Sequence, residues 1–469
     1  MKILLINPPI YDFAAFDLWS APLGLLYLAS ILKQQGIEVE LLDYMDRANS
    51  LLLIPNSSFL TPNSVYGCGH YVKQKIEKPE ALKHIPRNYF RYGLPKDLAV
   101  NCLKGLYPSG QCPPDLIIFT SVMTYWYPGV FEAIQTVKEI FSDTPVVLGG
   151  TYATLCYEHA QKSGADYVLK GGIESLNSNP HLNPPPPQGE GREGAKNVKI
   201  TIPCSFSDYP IPYYPPNQNK DYAVLRISAG CPFKCSYCAQ DVLSGGSFVA
   251  KPWEKVFEEI KDFADRGIKN IVFYDDALLY NPEKIIKPLL KKIIESNLKI
   301  NIHTPNGLHL RYLDLELALL MKKANFVMPR FSLESADARI QKETGAKITN
   351  EGFEKAAAML KEAGYKKGEY LIYLLIGMPG QSLKETESSI EYVHKFGAKI
   401  SLSEYSVIPG TKDFKKQLGI RIEELGINGK DFANEPLLHN KSVYPLFDVK
   451  DWNEIYRIKN LAKELNSLL

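Results

Sequence analysis

The sequence has 469 residues, 45% of them hydrophobic, and 54 basic against 52 acidic residues leave a formal net charge of +2. At about 150 residues per domain this length allows roughly three domains with sizeable cores, and the near-neutral balance supplies no long-range field for a polyanion, so nucleic acid is not suggested. No stretch reaches the ~18 apolar residues that a membrane span needs.

The chain opens on Met1-Lys-Ile-Leu-Leu-Ile-Asn-Pro-Pro, whose apolar core is too short for a signal peptide and reads instead as a first strand, Ile3 to Ile6. A helical stretch from Leu23 to Gln35, then Gly36, then a strand from Glu38 to Leu42 complete a βαβ unit. The order resumes with a strand at Asp115 to Ser121, a helix from Val130 to Phe141, and apolar runs at Pro145 to Gly150 and Ala165 to Leu169. This predicts an α/β domain over residues 1–176, a doubly wound, Rossmann- or flavodoxin-like parallel sheet.

Residues 44–111 interrupt that domain with mixed aromatic, Gly and Pro content, as either an ordered lid or a packing excursion. Residues 177–220 form the expected divider: Asn177 to Gly194, with a four-proline run, reads as a mobile insertion, and Tyr209-Pro-Ile-Pro-Tyr-Tyr-Pro-Pro216 as a stiff linker.

From residue 221 to 415 strands and helices alternate. Strands are expected at Ala223 to Ser228, Asn270 to Phe273, Lys299 to His303, Phe326 to Leu333, Glu369 to Ile376 and Ile400 to Ser406. Six βα units make a partial, open (β/α)6 TIM-type barrel with its site at the carboxyl strand ends. The tail, 416–469, is short and helical, ending in an amphipathic helix from Val449 to Leu468 that serves packing.

The sharpest chemical signal is Cys231-Pro-Phe-Lys-Cys235-Ser-Tyr-Cys238, directly after the first strand of the second domain. Three thiolates from one loop leave one iron of a 4Fe-4S cube without a protein ligand, free to take a chelating amino and carboxylate pair. Zinc is the weaker alternative, because Cys68, Cys102, Cys112, Cys156 and Cys204 form no second ligand pair. Disulfides belong to oxidising compartments and small secreted domains; unpaired cysteines and an oxygen-sensitive cluster point to the cytoplasm.

The triplet, with Tyr237 before its last cysteine, resembles the signature of the radical S-adenosylmethionine (SAM) enzymes. The resemblance implies a 4Fe-4S cluster on Cys231, Cys235 and Cys238, with Tyr237 against the adenine of SAM. It places Tyr274-Asp275-Asp276 where the family receives the methionine ammonium, with Asp275 the better partner; for Asp276 an Asp-rich helix cap is the equal alternative. Strand alternation sets Arg330, Ser332 and Glu334 on one face, and by resemblance Glu334 holds the ribose hydroxyls. The turns around Met378 and Ile408 correspond to the fifth and sixth strand ends that bracket the adenosine. His303, Asn306 and Arg330 are substrate candidates, and no residue is assigned a catalytic proton-transfer role.

The first domain resembles the cobalamin (B12)-binding domain that precedes one large radical SAM subgroup. The resemblance rests on Asn7-Pro8-Pro9, Ala21 to Ala29, Ser121 to Gly129, Gly149 to Thr154 and Gly171-Gly-Ile-Glu174. It implies a corrin near Ser121, Thr124, Gly149, Gly150, Thr151 and Glu174. None of the eight histidines lies in Asp-x-His-x-x-Gly, so no lower axial His is supplied, and Gly171-Gly-Ile-Glu174 departs from the family's Gly-Glu-Gly-Glu turn. A sheet domain that has lost its corrin is the alternative.

These features imply cobalamin-dependent methylation of an unactivated carbon in a small molecule, driven by a low-potential donor such as flavodoxin or ferredoxin. The alternatives are a radical SAM cyclase, oxidase or rearranging enzyme without methyl transfer, and a non-catalytic cluster or corrin carrier or sensor. A tRNA methylthiotransferase fits less well, since the first domain has no cysteine triplet of its own and the charge offers no RNA surface.

Overall fold

The structure is a computed structural model that describes residues 1–48, 66–108, 111–178, 200–215, 221–420, 433–441 and 452–469. The chain folds as two compact units, one of residues 1–220 with 433–438, the other of residues 221–432 with 439–469.

In the first unit, β1 (Lys2–Asn7) is followed by β2 (Ile10–Asp12), α1 (Leu23–Gln34), β3 (Glu38–Asp43), β4 (Lys73–Ile76), β5 (Tyr89–Tyr92), β6 (Leu116–Phe119), α2 (Tyr127–Ile140), β7 (Val146–Leu148) and β8 (Tyr167–Val168). Five of these form one parallel sheet in the order β8-β7-β6-β1-β3. Its strands are short apolar runs because both faces are covered; Ile3 to Ile6 and Val146 to Leu148 have no exposed surface.

The described part of the 44–111 excursion is ordered. β5 is the centre of a small antiparallel sheet, pairing with β4 on one side and on the other with β2, which continues from the carboxyl end of β1. A buried ion pair, Arg91 to Glu132 at 2.7 Å, ties this small sheet to α2. Asp12 Oδ2 accepts a further bond from Trp126 Nε1 at 2.9 Å. Residues 49–65 of the excursion lie outside the described residues.

Residues 200–215 do more than link. The Tyr213 N–H donates to the Leu26 carbonyl at 3.0 Å, Gln35 Nε2 donates to the Thr201 carbonyl at 2.8 Å, and Tyr27 meets both Phe206 and Tyr209. The expected stiff spacer is therefore a strap packed along α1, because its prolines alternate with aromatic side chains that bury well. The expected mobile insertion falls mainly on 179–199, outside the described residues, as do 216–220.

In the second unit, β9 (Tyr222–Leu225), β10 (Ser228–Gly230), β11 (Phe248–Ala250), β12 (Asn270–Phe273) and β13 (Asn301–His303) are followed by β14 (Leu308–His309), β15 (Arg330–Glu334), α3 (Ala338–Glu343), β16 (Leu371–Ile376), α4 (Leu383–Lys395), β17 (Lys399–Glu404), α5 (Lys412–Ile420) and α6 (Trp452–Ser467). Two parallel sheets, β9-β12-β13 and β14-β15-β16-β17, are joined by an isolated parallel bridge between Ile302 and Phe326. They make an open arc rather than a closed barrel. The short β14 adds one strand to the six expected. It escapes a periodicity argument because it is two residues long.

On β16 Ile372, Leu374 and Ile376 are buried, whereas Leu371, Tyr373 and Leu375 are half-exposed. The tail helix packs as expected: Asn466 exchanges two hydrogen bonds with the Ile400 backbone, and Lys459 pairs with Glu404. Among the described residues no helix is long and apolar enough to cross a membrane.

Candidate functional sites

The cysteine loop hangs between β10 and β11, which pair antiparallel and hold its two ends together. Gly230 makes the entry: its φ is +84°, and a Cβ there would lie 2.0 Å from the Ser247 carbonyl oxygen. The loop is tied down on both sides. The Ser236 N–H donates to the Thr344 carbonyl at 3.3 Å, and the Asp413 N–H donates to the Ser236 carbonyl at 3.1 Å.

All three loop cysteines are free thiols. The Phe233 N–H donates to Cys231 sulfur and the Gln240 N–H to Cys238 sulfur. Burial pushes the Cys231 thiol up and the Cys238 thiol up to about 11, and repulsion from the neighbouring thiolates adds to both shifts. Metal charge reverses this balance, since bound thiols deprotonate outright. Among the described residues no group of three His, Cys, Asp or Glu side chains converges on a single ion, a geometry that a cluster taking one thiolate per iron does not require. The donor set fits a 4Fe-4S cluster.

Around this loop the strand ends bring together much of what the sequence pointed to. Tyr237 Oη donates to Glu334 Oε1 at 3.1 Å, and Lys347 Nζ reaches the same oxygen at 3.4 Å. Glu334 ends β15 with φ at +67°, where the register with β16 shifts. A non-glycine residue held there costs about 1–3 kcal/mol and marks sites where geometry serves function.

The two aspartates part company. Asp275 is buried; its Oδ1 accepts from the Ser228 N–H and hydroxyl, both at 2.6 Å, and its Oδ2 from the Ile227 N–H at 3.2 Å. It staples β12 to the start of the cysteine loop, and burial raises its carboxyl to about 6 despite those donors. Asp276 accepts from the Gly230 N–H, and its Oδ2 is buried without a hydrogen bond, with Arg226 Nη1 at 3.8 Å. Asp275 is thus taken up by backbone and hydroxyl donors, whereas Asp276 keeps one buried oxygen without a hydrogen bond.

Met378 is buried in the turn after β16, and Ile408 is half-exposed after β17. Gln381 clasps the first turn, accepting from the Gly377 and Met378 N–H groups at 3.1 and 3.2 Å and donating to the Leu375 carbonyl at 3.0 Å. The Ile408 carbonyl accepts from Thr411 Oγ1 at 2.8 Å.

Of the substrate candidates, His303 is buried against Asn270 Oδ1 at 3.1 Å, and burial lowers its pKa to about 3. That is a neutral core histidine. Asn306 donates to the Tyr274 and Asp275 carbonyls, both at 3.1 Å, bracing the aspartate turn. Arg330 is half-buried on β15.

Lys347, Gln381 and His309 escaped sequence reasoning. His309 is 5% exposed, stacks on Phe233 at 4.6 Å and donates to the Asp276 carbonyl, linking the cysteine loop to the aspartate turn. The contacts of Lys347 and His309 join distant segments, whereas Gln381 acts locally, on a turn whose Gly and Pro content reads as an ordinary loop.

In the first unit, Ser121, Gly149, Gly150 and Thr151 meet at the carboxyl ends of β6 and β7. Ser121 Oγ donates to the Gly149 carbonyl at 2.7 Å, and the Thr151 N–H donates to the Ser121 carbonyl at 2.7 Å. Gly150 has φ at +95°, and a Cβ on it would lie 2.4 Å from the Ser121 oxygen. Gly149 has open space where its side chain would be. Thr124 is buried just beyond, whereas Val122 and Met123 stand 45% and 42% exposed. Glu174 is placed by the Tyr209 hydroxyl, which donates to it at 3.2 Å. A rim of small groups with open space and exposed apolar side chains beside it fits a large planar ligand such as a corrin.

Residues 225–393 match the family model of the radical SAM superfamily. An uncharacterised methyltransferase of Pyrococcus horikoshii is 24% identical over 68% of this chain and 72% of its own length. The cytidylyl-2-hydroxyethylphosphonate methyltransferase of Streptomyces wedmorensis is 23% identical over 84% of this chain and 77% of its own. Among solved structures, the radical SAM methyltransferase TsrM from Kitasatospora setae, with cobalamin and a [4Fe-4S] cluster bound, superposes with a TM-score of 0.61 at 17% identity, covering 90% of this chain and 76% of that one. The cobalamin-dependent radical SAM enzyme OxsB with aqua-cobalamin bound gives 0.54 at 13% identity, covering 91% of this chain and 56% of that one. At these identities the structural likeness shows a shared fold.

Proposed function

The chain carries a radical SAM domain, and from that premise we propose that it is a cytoplasmic, cobalamin-dependent radical SAM methyltransferase acting on an unactivated carbon of a small molecule. When bound, the cluster supplies the electron that splits the SAM sulfonium and the corrin supplies a methyl carrier.

The observation that carries this reading is the convergence of the free three-cysteine loop with Glu334 and the Asp276 oxygen that accepts no hydrogen bond, at one set of strand ends. Cys231, Cys235 and Cys238 hold the cluster and leave one iron open. Asp276 offers a buried carboxylate oxygen for an N–H of the methionine amino group. Glu334 accepts from the ribose hydroxyls, with Tyr237 and Lys347 fixing the carboxylate. The Met378 and Ile408 turns bracket the adenosine, and Gln381 sets the first of them. In the other unit the Ser121, Gly149, Gly150 and Thr151 rim, with Thr124 and Glu174 near it, holds the corrin. The methyltransferase names of both relatives support the methyl-transfer reading.

The test is anaerobic reconstitution with iron, sulfide and cobalamin, then reduction with SAM present and mass spectrometry of the products. Both 5'-deoxyadenosine and S-adenosylhomocysteine are expected, and neither from the Cys235→Ala protein. 5'-Deoxyadenosine alone would move the assignment to radical chemistry without methyl transfer. Neither product, with the cluster intact, would leave a carrier or sensor.

A further inference from the structure

Two residues stand between Cys235 and Cys238, and they are held from different strand ends. Tyr237 goes to Glu334, which ends β15, at 3.1 Å. Ser236 is buried and meets Asp413, in the first turn of α5, through two bonds. Its carbonyl accepts from the Asp413 N–H at 3.1 Å, and its hydroxyl donates to the Asp413 side chain. Tyr405, buried just beyond β17, donates its hydroxyl to Asp413 Oδ2 at 3.3 Å.

Asp413 is itself placed by the turn after β17. Thr411 Oγ1 donates to the Ile408 carbonyl at 2.8 Å and accepts from the Phe414 N–H at 3.1 Å, which caps α5. The turn assigned to the adenosine and the segment that carries Cys235 and Cys238 are therefore joined through one residue. The helix dipole alone favours a carboxylate in a first turn, but that role asks for no particular side-chain partner. Asp413 instead accepts from two hydroxyls that come from outside α5, an arrangement that suits a carboxylate, an acceptor at both oxygens. Burial raises its carboxyl, and these bonds, with Lys416, oppose the rise. Burial and the Asp413 charge push the Tyr405 hydroxyl well above its ordinary range, so it stays a donor.

Resting on the radical SAM reading above, we propose that Asp413 is a positioning residue for the cluster. Through Ser236 it fixes the stretch between Cys235 and Cys238, and its negative charge lowers the potential at which a cluster on those thiolates takes up an electron. Partners one step out from metal ligands orient them, and net charge and hydrogen bonding set the reduction potentials of iron–sulfur sites. Asp413 acts through Ser236 and not as a ligand.

The test compares single variants of the reconstituted full chain by two readouts, neither of them activity. Asp413→Asn keeps an acceptor oxygen for the hydroxyls and removes the charge. The midpoint of its one-electron cluster couple, from a mediated redox titration followed by electron paramagnetic resonance, should rise by about 59 mV, a tenfold shift in the reduced-to-oxidised ratio. Its iron retention should match the wild type. Asp413→Ala and Ser236→Ala lose the bond between the two side chains and should surrender iron to a ferrous chelator about tenfold faster. Ser236→Ala keeps the measurement decisive if Asp413→Ala fails to fold, which the thermal midpoints of the cluster-free proteins show. A wild-type potential in Asp413→Asn, or wild-type iron loss in Ser236→Ala, would overturn the proposal. A role confined to the helix dipole gives both of those results, with only the thermal midpoint of Asp413→Ala lowered. A wild-type chain that assembles no 4Fe-4S cluster would instead sink the radical SAM reading, and this inference with it.

Discussion

Tyr237 and Glu334 meet across 3.1 Å, joining the last turn of the cysteine loop to the bulged end of β15. The bond couples the segment that holds the metal to the strand end assigned to the nucleoside, so neither is placed independently. Burial, reinforced by the adjacent Glu334 charge, raises the Tyr237 hydroxyl well above its ordinary range. It therefore stays a donor at every workable pH.

Glu334→Gln should weaken SAM binding about 10- to 100-fold, the cost of losing a charge-assisted acceptor of about 1.5–3 kcal/mol. Tyr237→Phe, which keeps the ring and loses only the donor, should cost less. Equilibrium binding of SAM to the reconstituted proteins checks both, and wild-type affinity in Glu334→Gln would remove that residue from the site.

Asp275 and Asp276 should separate cleanly. Asp275→Asn turns an amide toward the Ile227 and Ser228 donors, which costs about 1–3 kcal/mol for an unmet buried group and should lower the thermal midpoint of the protein without SAM. Asp276→Asn should leave that midpoint nearly unchanged and weaken SAM binding about tenfold or more. The reverse pattern would return the ammonium contact to Asp275.

Buried histidines should make the fold sensitive to acid below the ordinary histidine range. Burial lowers His303 to about 3 and His159 to about 4, and lowers His309 as well, from 6.5 in each case. Their stabilising contribution is full above pH 6.5 and is lost as pH falls toward those values, because the unfolded chain binds the protons. Asp275 acts in the opposite sense: raised from 3.8 to about 6, its contribution is full below 3.8 and lost as pH rises through 6. Burial raises Asp276, Glu259 and Asp413 as well, so the comparison is made against His303→Gln, whose thermal midpoint should fall less, relative to the wild type, between pH 6.5 and 4.5. The same pH dependence in His303→Gln and the wild type would contradict the burial of that ring.

Two adjacent glycines should behave differently. Gly150→Ala forces a Cβ against the Ser121 carbonyl at a positive φ and should destabilise the first unit by about 1–3 kcal/mol. A Cβ at Gly149 meets nothing within 4 Å, so Gly149→Val should fold normally yet lose cobalamin by filling its space, as read by corrin absorbance retained through gel filtration. Full retention by Gly149→Val would move the corrin away from this rim.

Much of this was legible because it is local. The C-x3-C-x2-C spacing lies within eight residues, and strands such as Ile3 to Ile6 and Val146 to Leu148 announce themselves as unbroken apolar runs. What stayed hidden depends on contacts between distant segments. Lys347 lies 13 residues from Glu334 and Tyr237 lies 97 from it, so nothing in the local pattern joins them. The division of labour between Asp275 and Asp276 depends on Ile227 and Ser228, which are 47 or more residues away. The strap at 200–215 looked like a spacer because proline content dominates its composition; its packing comes from the aromatic residues between the prolines.

The most direct test of the central claim is electron–nuclear double resonance on the reduced, reconstituted protein with SAM labelled with 15N at its amino group. Three cysteine ligands with an open iron predict hyperfine coupling between that nitrogen and the cluster, present in the wild type and diminished in Asp276→Asn. An intact, reduced cluster with SAM bound and no such coupling would contradict the account.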